Sequence, residues 1–234
     1  MNTVSESFVL ALAMVANADP QVVGIVALSM AVSLTSTLCS AVIGLPLGAA
    51  IAVSRFPGRS ALIAVLNAAM GLPPVVVGLA VYLLLSRAGP LGRFGLLFTP
   101  TAMVIAQTVL IIPIVAALTR QVVEDAWVEY REQLHSLGSG WFRSTRTLLW
   151  DTRWSLATVL LSGFGRAAAE VGAIIIVGGN IDGVTRVMTT AIVLETSKGD
   201  LPLALALGTI LIAIVLALNL GAQGLRNWAK LRLG

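Results

Sequence analysis

Apolar residues run along this chain in long unbroken stretches and do not alternate with polar ones. Five stretches, at residues 22–53, 61–86, 100–118, 155–177 and 201–222, reach the roughly 20 residues that a helix needs to cross a bilayer. Helix is the form open to them, because lipid offers no partner for backbone N–H and C=O groups and a barrel strand would show alternation. The first stretch exceeds one bilayer thickness, so it tilts or projects beyond the lipid, with Pro46 as its kink point. Residues 8–18 are apolar over only about half a span, which predicts an interfacial helix within an N-terminal segment, 1–21.

Composition strengthens the membrane assignment. With 57% hydrophobic and 11% charged residues, and a mean hydropathy of +0.94, the chain is too apolar for a water-soluble domain. A net charge of +4 invites a nucleic-acid reading. The basic residues, however, sit in short connections between apolar runs and form no single solvated face, so no nucleic-acid partner is expected.

Those connections set an orientation instead. Arg55, Arg59, the five arginines from Arg120 to Arg153, and Arg226, Lys230 and Arg232 all fall on one side, against Arg87, Arg93, Arg186 and Lys198 on the other. The positive-inside rule then puts the N-terminus outside and the C-terminus in the cytoplasm. The transmembrane body is 22–222, and 223–234 is a cytoplasmic basic tail. The polar loop 119–153 is cytoplasmic and reads as short helices around a turn. In the outer connection 178–200, residues 185–196 form a candidate amphipathic helix against the core. No secretory leader is expected, since Arg55 is the first basic residue.

Candidate chemistry is sparse. Cys39 is the sole cysteine and His135 the sole histidine, which leaves neither a disulfide framework nor a Cys/His metal set, and no bound metal or cofactor is expected. Gly163-Phe-Gly165 is too short for a nucleotide fingerprint and no GxxxxGK[ST] occurs, so ATP hydrolysis would need another polypeptide. Arg166 and Glu170 lie inside the fourth apolar stretch, four residues apart and therefore on one helix face. Such a pair either locks packing or lines a path or gate. Pro73-Pro74 interrupts the second stretch and is either a structural kink or a break beside a conducting path. Gly44 and Gly48, with Ser40 and Ala41, make a small-residue stripe that suits close helix packing. Trp127, Trp141, Trp150 and Trp154 flank the inner surface, where indole rings anchor. His135, in its polar loop, reads as a solvated or partner-contacting side chain.

The same loop carries a recognisable spacing: Glu132, Gly138 six residues later, and Leu148 ten after that. This resembles the Glu-Ala-Ala loop of binding-protein-dependent ABC importers, although Gln133-Leu134 and Trp150-Asp151 replace its alanines and its Leu-Pro. Further along, Gly44-Leu-Pro-Leu-Gly48, Leu72-Pro-Pro-Val-Val-Val-Gly78, Glu170-Val-Gly-Ala173, Gly179-Asn-Ile181 and Thr185-Arg186 follow in order. Together they resemble the molybdate and tungstate permeases, from about residue 22 to 220, with the tungstate branch the better match.

The resemblance implies an all-α polytopic fold of the type I importer kind, with five core spanning helices and a cytoplasmic coupling loop. It implies a homodimer, two copies of a cytoplasmic ABC ATPase carrying ATP-Mg, and an external or periplasmic oxyanion-binding protein. Glu132, His135, Leu137 and Gly138 would then couple to the ATPase. Pro73, Pro74, Arg166, Glu170, Asn180, Thr185 and Arg186 would mark the translocation path or gate, where an oxyanion needs amides, hydroxyls or a few cations that do not hold it tightly. A secondary transporter or channel for a small anion would use intramembrane charge and broken helices equally well, but no inverted repeat is evident. An intramembrane enzyme lacks a credible nucleophile and base.

Overall fold

Start signals recur at the helix ends of the computed structural model, which describes residues 4–233, with side chains for 5–224. Asp19 accepts the Gln21 N–H at 2.9 Å and Pro20 occupies the first helical position of α2 (Pro20–Val53), an arrangement that uses one orphan donor and removes another. Thr99 and Pro100 open α5 (Pro100–Ser136) in the same way, with the Thr99 hydroxyl taking the Ala102 N–H at 3.4 Å. The other helices are α1 (Val4–Ala16), α3 (Arg59–Met70), α4 (Pro74–Leu85), α6 (Trp141–Asp151), α7 (Arg153–Ala168), α8 (Gly172–Gly178), α9 (Met188–Lys198) and α10 (Leu201–Leu233). No strand occurs among the described residues.

Three helices, α2, α5 and α10, are each long and apolar enough to cross a membrane unaided. The pairs α3 with α4 and α7 with α8 qualify when each bent pair is taken as one span, which brings the total to five. The chain is thus an all-α, multi-pass membrane protein. Its spanning helices leave large apolar side chains on the surface, such as Leu38 (56% exposed) and Val42 (75%), as lipid contact requires. At 34 residues, α2 is roughly 51 Å long, which exceeds a hydrocarbon core of about 30 Å.

The sequence expectations and the elements differ in three places. The stretch 155–177 is not one helix: it breaks between Ala168 and Gly172, with Glu170 in the break. Loop 119–153 is mostly a continuation of α5 out to Ser136, followed by a tight turn and α6. The amphipathic helix expected at 185–196 begins later, as α9, because Thr185 and Arg186 belong to the preceding turn. Of the basic tail, Arg226, Lys230 and Arg232 have side chains outside the described residues; the backbone there continues α10.

The chain divides into two compact units. The first comprises the residues up to Ser36, Pro73–Gln107 and Gly165–Leu218. Its core gathers Val22, Ile25, Met188, Ala191, Leu203 and Leu207. The second comprises Thr37–Leu72, Thr108–Phe164 and the residues after Leu218, with Ala49, Ala52, Val53, Val123, Ala126 and Leu148 at its centre. Here the glycine stripe of α2 faces α5: a Cβ on Gly44 would lie 2.9 Å from Val115 Cβ, and one on Gly48 would collide with the Ala116 carbonyl oxygen. These glycines let the two helices approach to backbone contact.

Candidate functional site

In the first unit the polar residues converge on the helix break. Arg166, in the last turn of α7, pairs with Glu170. The two differ in environment: the Arg166 side chain is 41% exposed and that of Glu170 only 4%. Glu170 Oε1 also accepts the Ala173 N–H at 3.3 Å, and its carbonyl accepts the Thr189 hydroxyl at 2.7 Å. The carboxylate therefore takes an N–H from the first turn of α8 while it pairs with a partly exposed guanidinium.

A buried amide supports the break from the other side. Gln107 Nε2 donates to the Ala167 carbonyl at 2.9 Å, and its Oε1 accepts the Ser36 hydroxyl at 2.8 Å. Ser29 donates to the Ile25 carbonyl and accepts the Met188 N–H, both at 2.7 Å. Ser29 and Gln107 line a small cavity of ≈ 10 Å³ with Ser33, Glu170 and Thr189, no larger than one water requires. An oxyanion does not fit there. None of Gln107, Ser29, Ser36 or Thr189 was singled out from the sequence, although a lone amide inside an apolar stretch was the available signal for Gln107.

Pro73 and Pro74 sit at the start of α4, whose residue Gly78 packs on α8: a Cβ there would lie 2.7 Å from Ala173 Cα. Gly172 is equally tight against Val75 Cγ2, at 2.8 Å. The proline break thus delivers α4 onto the short helix that follows Glu170.

Asn180, Thr185 and Arg186 come together in the turn after α8, where most of their polar groups are occupied and the buried Arg186 Nε has no partner among the described residues. Asn180 bonds Thr190 through both amide atoms, at 3.3 and 2.8 Å. The Thr185 hydroxyl donates to the Gly178 carbonyl at 2.6 Å and accepts the Ile181 N–H at 2.9 Å. Arg186 is bound by Asp182 at 3.0 Å and Glu195 at 3.8 Å, and Glu195 also pairs with Lys198 at 3.0 Å.

The second unit presents a different surface. At the end of α5 the Ser139 N–H bonds the Leu134 carbonyl at 2.9 Å and the Gly138 N–H bonds that of His135 at 3.0 Å. With Gly138 at φ +65, this is a Schellman termination. It leaves Leu137 78% exposed at the tip. Glu132 and His135 line an open cleft of ≈ 650 Å³ with Val53, Arg55, Trp127 and Arg131. The helix behind them is held by Glu124, which binds Arg120 and, at 2.8 Å, Arg59. The Trp141 indole donates to Ser54 Oγ at 2.9 Å and ties α6 to the end of α2.

No protein-family model matches the chain. It is 41% identical over 207 residues to a probable anion ABC transporter permease protein of Haloferax volcanii, covering 86% of this chain and 89% of that one. It is 40% identical over 219 residues to the tungstate uptake system permease protein TupB of Peptoclostridium acidaminophilum, covering 94% and 96%. Identity to the molybdenum transport system permease protein ModB of Mycobacterium bovis is 28% over 207 residues, covering 84% and 77%.

Proposed function

We propose, starting from a chain that belongs to the ABC-transporter permease family, that this protein is the membrane pathway of an importer for tungstate. The observation that carries the substrate is the 40% identity to a tungstate permease along 94% of the chain, against 28% to a molybdenum permease. Two copies form the pathway in the cytoplasmic membrane, N-terminus outside and C-terminus inside. Two ATPase subunits bind below and hold the ATP-Mg, and an external binding protein delivers the anion. This chain hydrolyses nothing itself.

Arg166 is the cation offered to the anion, because it is the charged member of the break with substantial exposure. Glu170 holds it in place and keeps it from binding a dianion too tightly, since conduction needs release as well as entry. Asn180, Thr185 and Arg186 act as the frame of the outer turn, and Pro73 and Pro74 aim α4 at the break. On the cytoplasmic side Leu137 is the apolar knob that docks the ATPase, Gly138 fixes its turn, and Glu132 and His135 line the receiving cleft. Nucleotide drives the cycle only by binding one state of the permease better than the other.

Proteoliposomes holding this chain with its ATPase, supplied with binding protein and tungstate, test the reading. ATP-dependent tungstate uptake that excess molybdate suppresses weakly and sulfate not at all is expected. Uptake driven by an ion gradient without the ATPase would assign a secondary transporter instead, and preferential competition by molybdate would change the substrate.

A further inference from the structure

Helix α6 has two unlike faces. Ser144, Thr145 and Leu148 are buried, with Leu148 in the core of the second unit. The opposite face carries Phe142 (74% exposed) and Trp150 (72%), interleaved with exposed Arg143 and Arg146. Among the described residues neither arginine forms an ion pair. Positions 143, 146, 147 and 150 share one face by helical spacing, and with Leu149 they line an open cleft of ≈ 650 Å³.

The face continues onto a spanning helix. The Arg153 guanidinium lies 4.9 Å from the Trp150 ring centroid and 5.5 Å from that of Trp154, and it donates to the Trp150 carbonyl at 2.8 Å. Trp154 belongs to the first turn of α7. The cation and indole ladder therefore runs from the surface of α6 to the first turn of α7, which with α8 is apolar enough to span a membrane.

We propose that this face binds one anionic phospholipid, with its phosphate between Arg143 and Arg146 and its glycerol and upper acyl chain against Leu149 and Trp150. Guanidinium matches a phosphate in geometry and charge. Indole rings favour the headgroup level. A ligand that satisfies both must be anionic at one end and apolar toward α7, which a phospholipid is and an acidic soluble protein is not. The inference needs only that the chain spans a membrane, so it stands or falls separately from the identity of the transported anion.

The test uses the full chain with its ATPase subunits in nanodiscs of phosphatidylcholine containing graded phosphatidylglycerol, with retained lipid counted by native mass spectrometry. One phosphatidylglycerol per chain is expected to stay bound. The double variant Arg143→Gln, Arg146→Gln should bind it about 30-fold more weakly, from the loss of two surface cations. Arg143→Lys with Arg146→Lys should keep most of the binding and show that the fold is intact, and Arg87→Gln should change nothing. Undiminished phosphatidylglycerol retention in the glutamine variant overturns the proposal. So does displacement of the lipid by equimolar inorganic phosphate, which would make this a free-anion site. Loss of the ATPase with lipid retention unchanged would give the face to the ATPase.

Discussion

Arg166 and Glu170 stand in unequal positions, and their substitutions should be unequal too. Removing the arginine leaves a buried carboxylate without its cation, whereas removing the carboxylate's charge leaves a guanidinium that is already two-fifths exposed. Arg166→Met is expected to lower stability by about 1–3 kcal/mol and Glu170→Gln by about 1 kcal/mol. The double variant should be milder than the sum by about 0.5–3 kcal/mol. Thermal unfolding in detergent and transport in the same membranes check this, and purely additive losses would remove the coupling. Gln107→Leu should cost about 1–3 kcal/mol by removing two buried hydrogen bonds, to the Ala167 carbonyl and from the Ser36 hydroxyl; a change below about 0.5 kcal/mol would mean that these bonds contribute nothing. The pairing of Arg166 with Glu170 was legible in the sequence because a helix brings positions four apart together. The bonds from Gln107 to Ser36 and from Ser29 to Met188 were not, since their partners lie 71 and 159 residues apart.

Helix breaks differ in how visible they are. The one at Gly71–Pro73 is written in Pro73-Pro74, which cannot continue α3. The one around Glu170 has no proline or tight-turn residue before it, and Arg166-Ala-Ala-Ala-Glu170 reads as good helix. Tertiary partners override that preference: the Glu170 side chain takes the Ala173 N–H, Thr189 takes the Glu170 carbonyl, and Gln107 adds a second donor to the Ala167 carbonyl, which also accepts the Glu170 N–H. The α4 and α8 contact that results has no room for a side chain. Gly78→Ala should destabilise the protein by about 1–3 kcal/mol, because the clash is with the Ala173 backbone and cannot be relieved by a rotamer change. Gly24→Ala, in α2 with nothing within 4 Å of the new Cβ, should be neutral or stabilising by up to about 1 kcal/mol. Equal melting shifts for the two would mean that α4 and α8 adjust freely.

At the scale of the whole molecule, an all-α multi-pass body followed from apolar length alone, because a bilayer permits so few alternatives. What length could not supply was the reach of α5 beyond its apolar stretch, since residues 119–136 are polar enough to read as loop. α5 runs from Pro100 to Ser136 and ends at the Gly138 turn, so under the proposed function a movement at that turn would pass into the helix. Gly138 has φ +65, and a Cβ added there would meet no atom within 4 Å, so a substitution faces backbone strain and no intramolecular clash. Valine costs roughly 1–2 kcal/mol in that conformation, while asparagine adopts it readily. Gly138→Val should leave the chain inserted and dimeric, weaken ATPase co-purification and abolish tungstate uptake. Gly138→Asn separates the two causes. If it restores both association and uptake, the glycine is needed for its backbone alone; if the ATPase is still lost, the partner approaches too closely for any side chain. Stoichiometric ATPase with full uptake in Gly138→Val would show that the turn does not couple the subunits, and the transport mechanism would have to run through another surface.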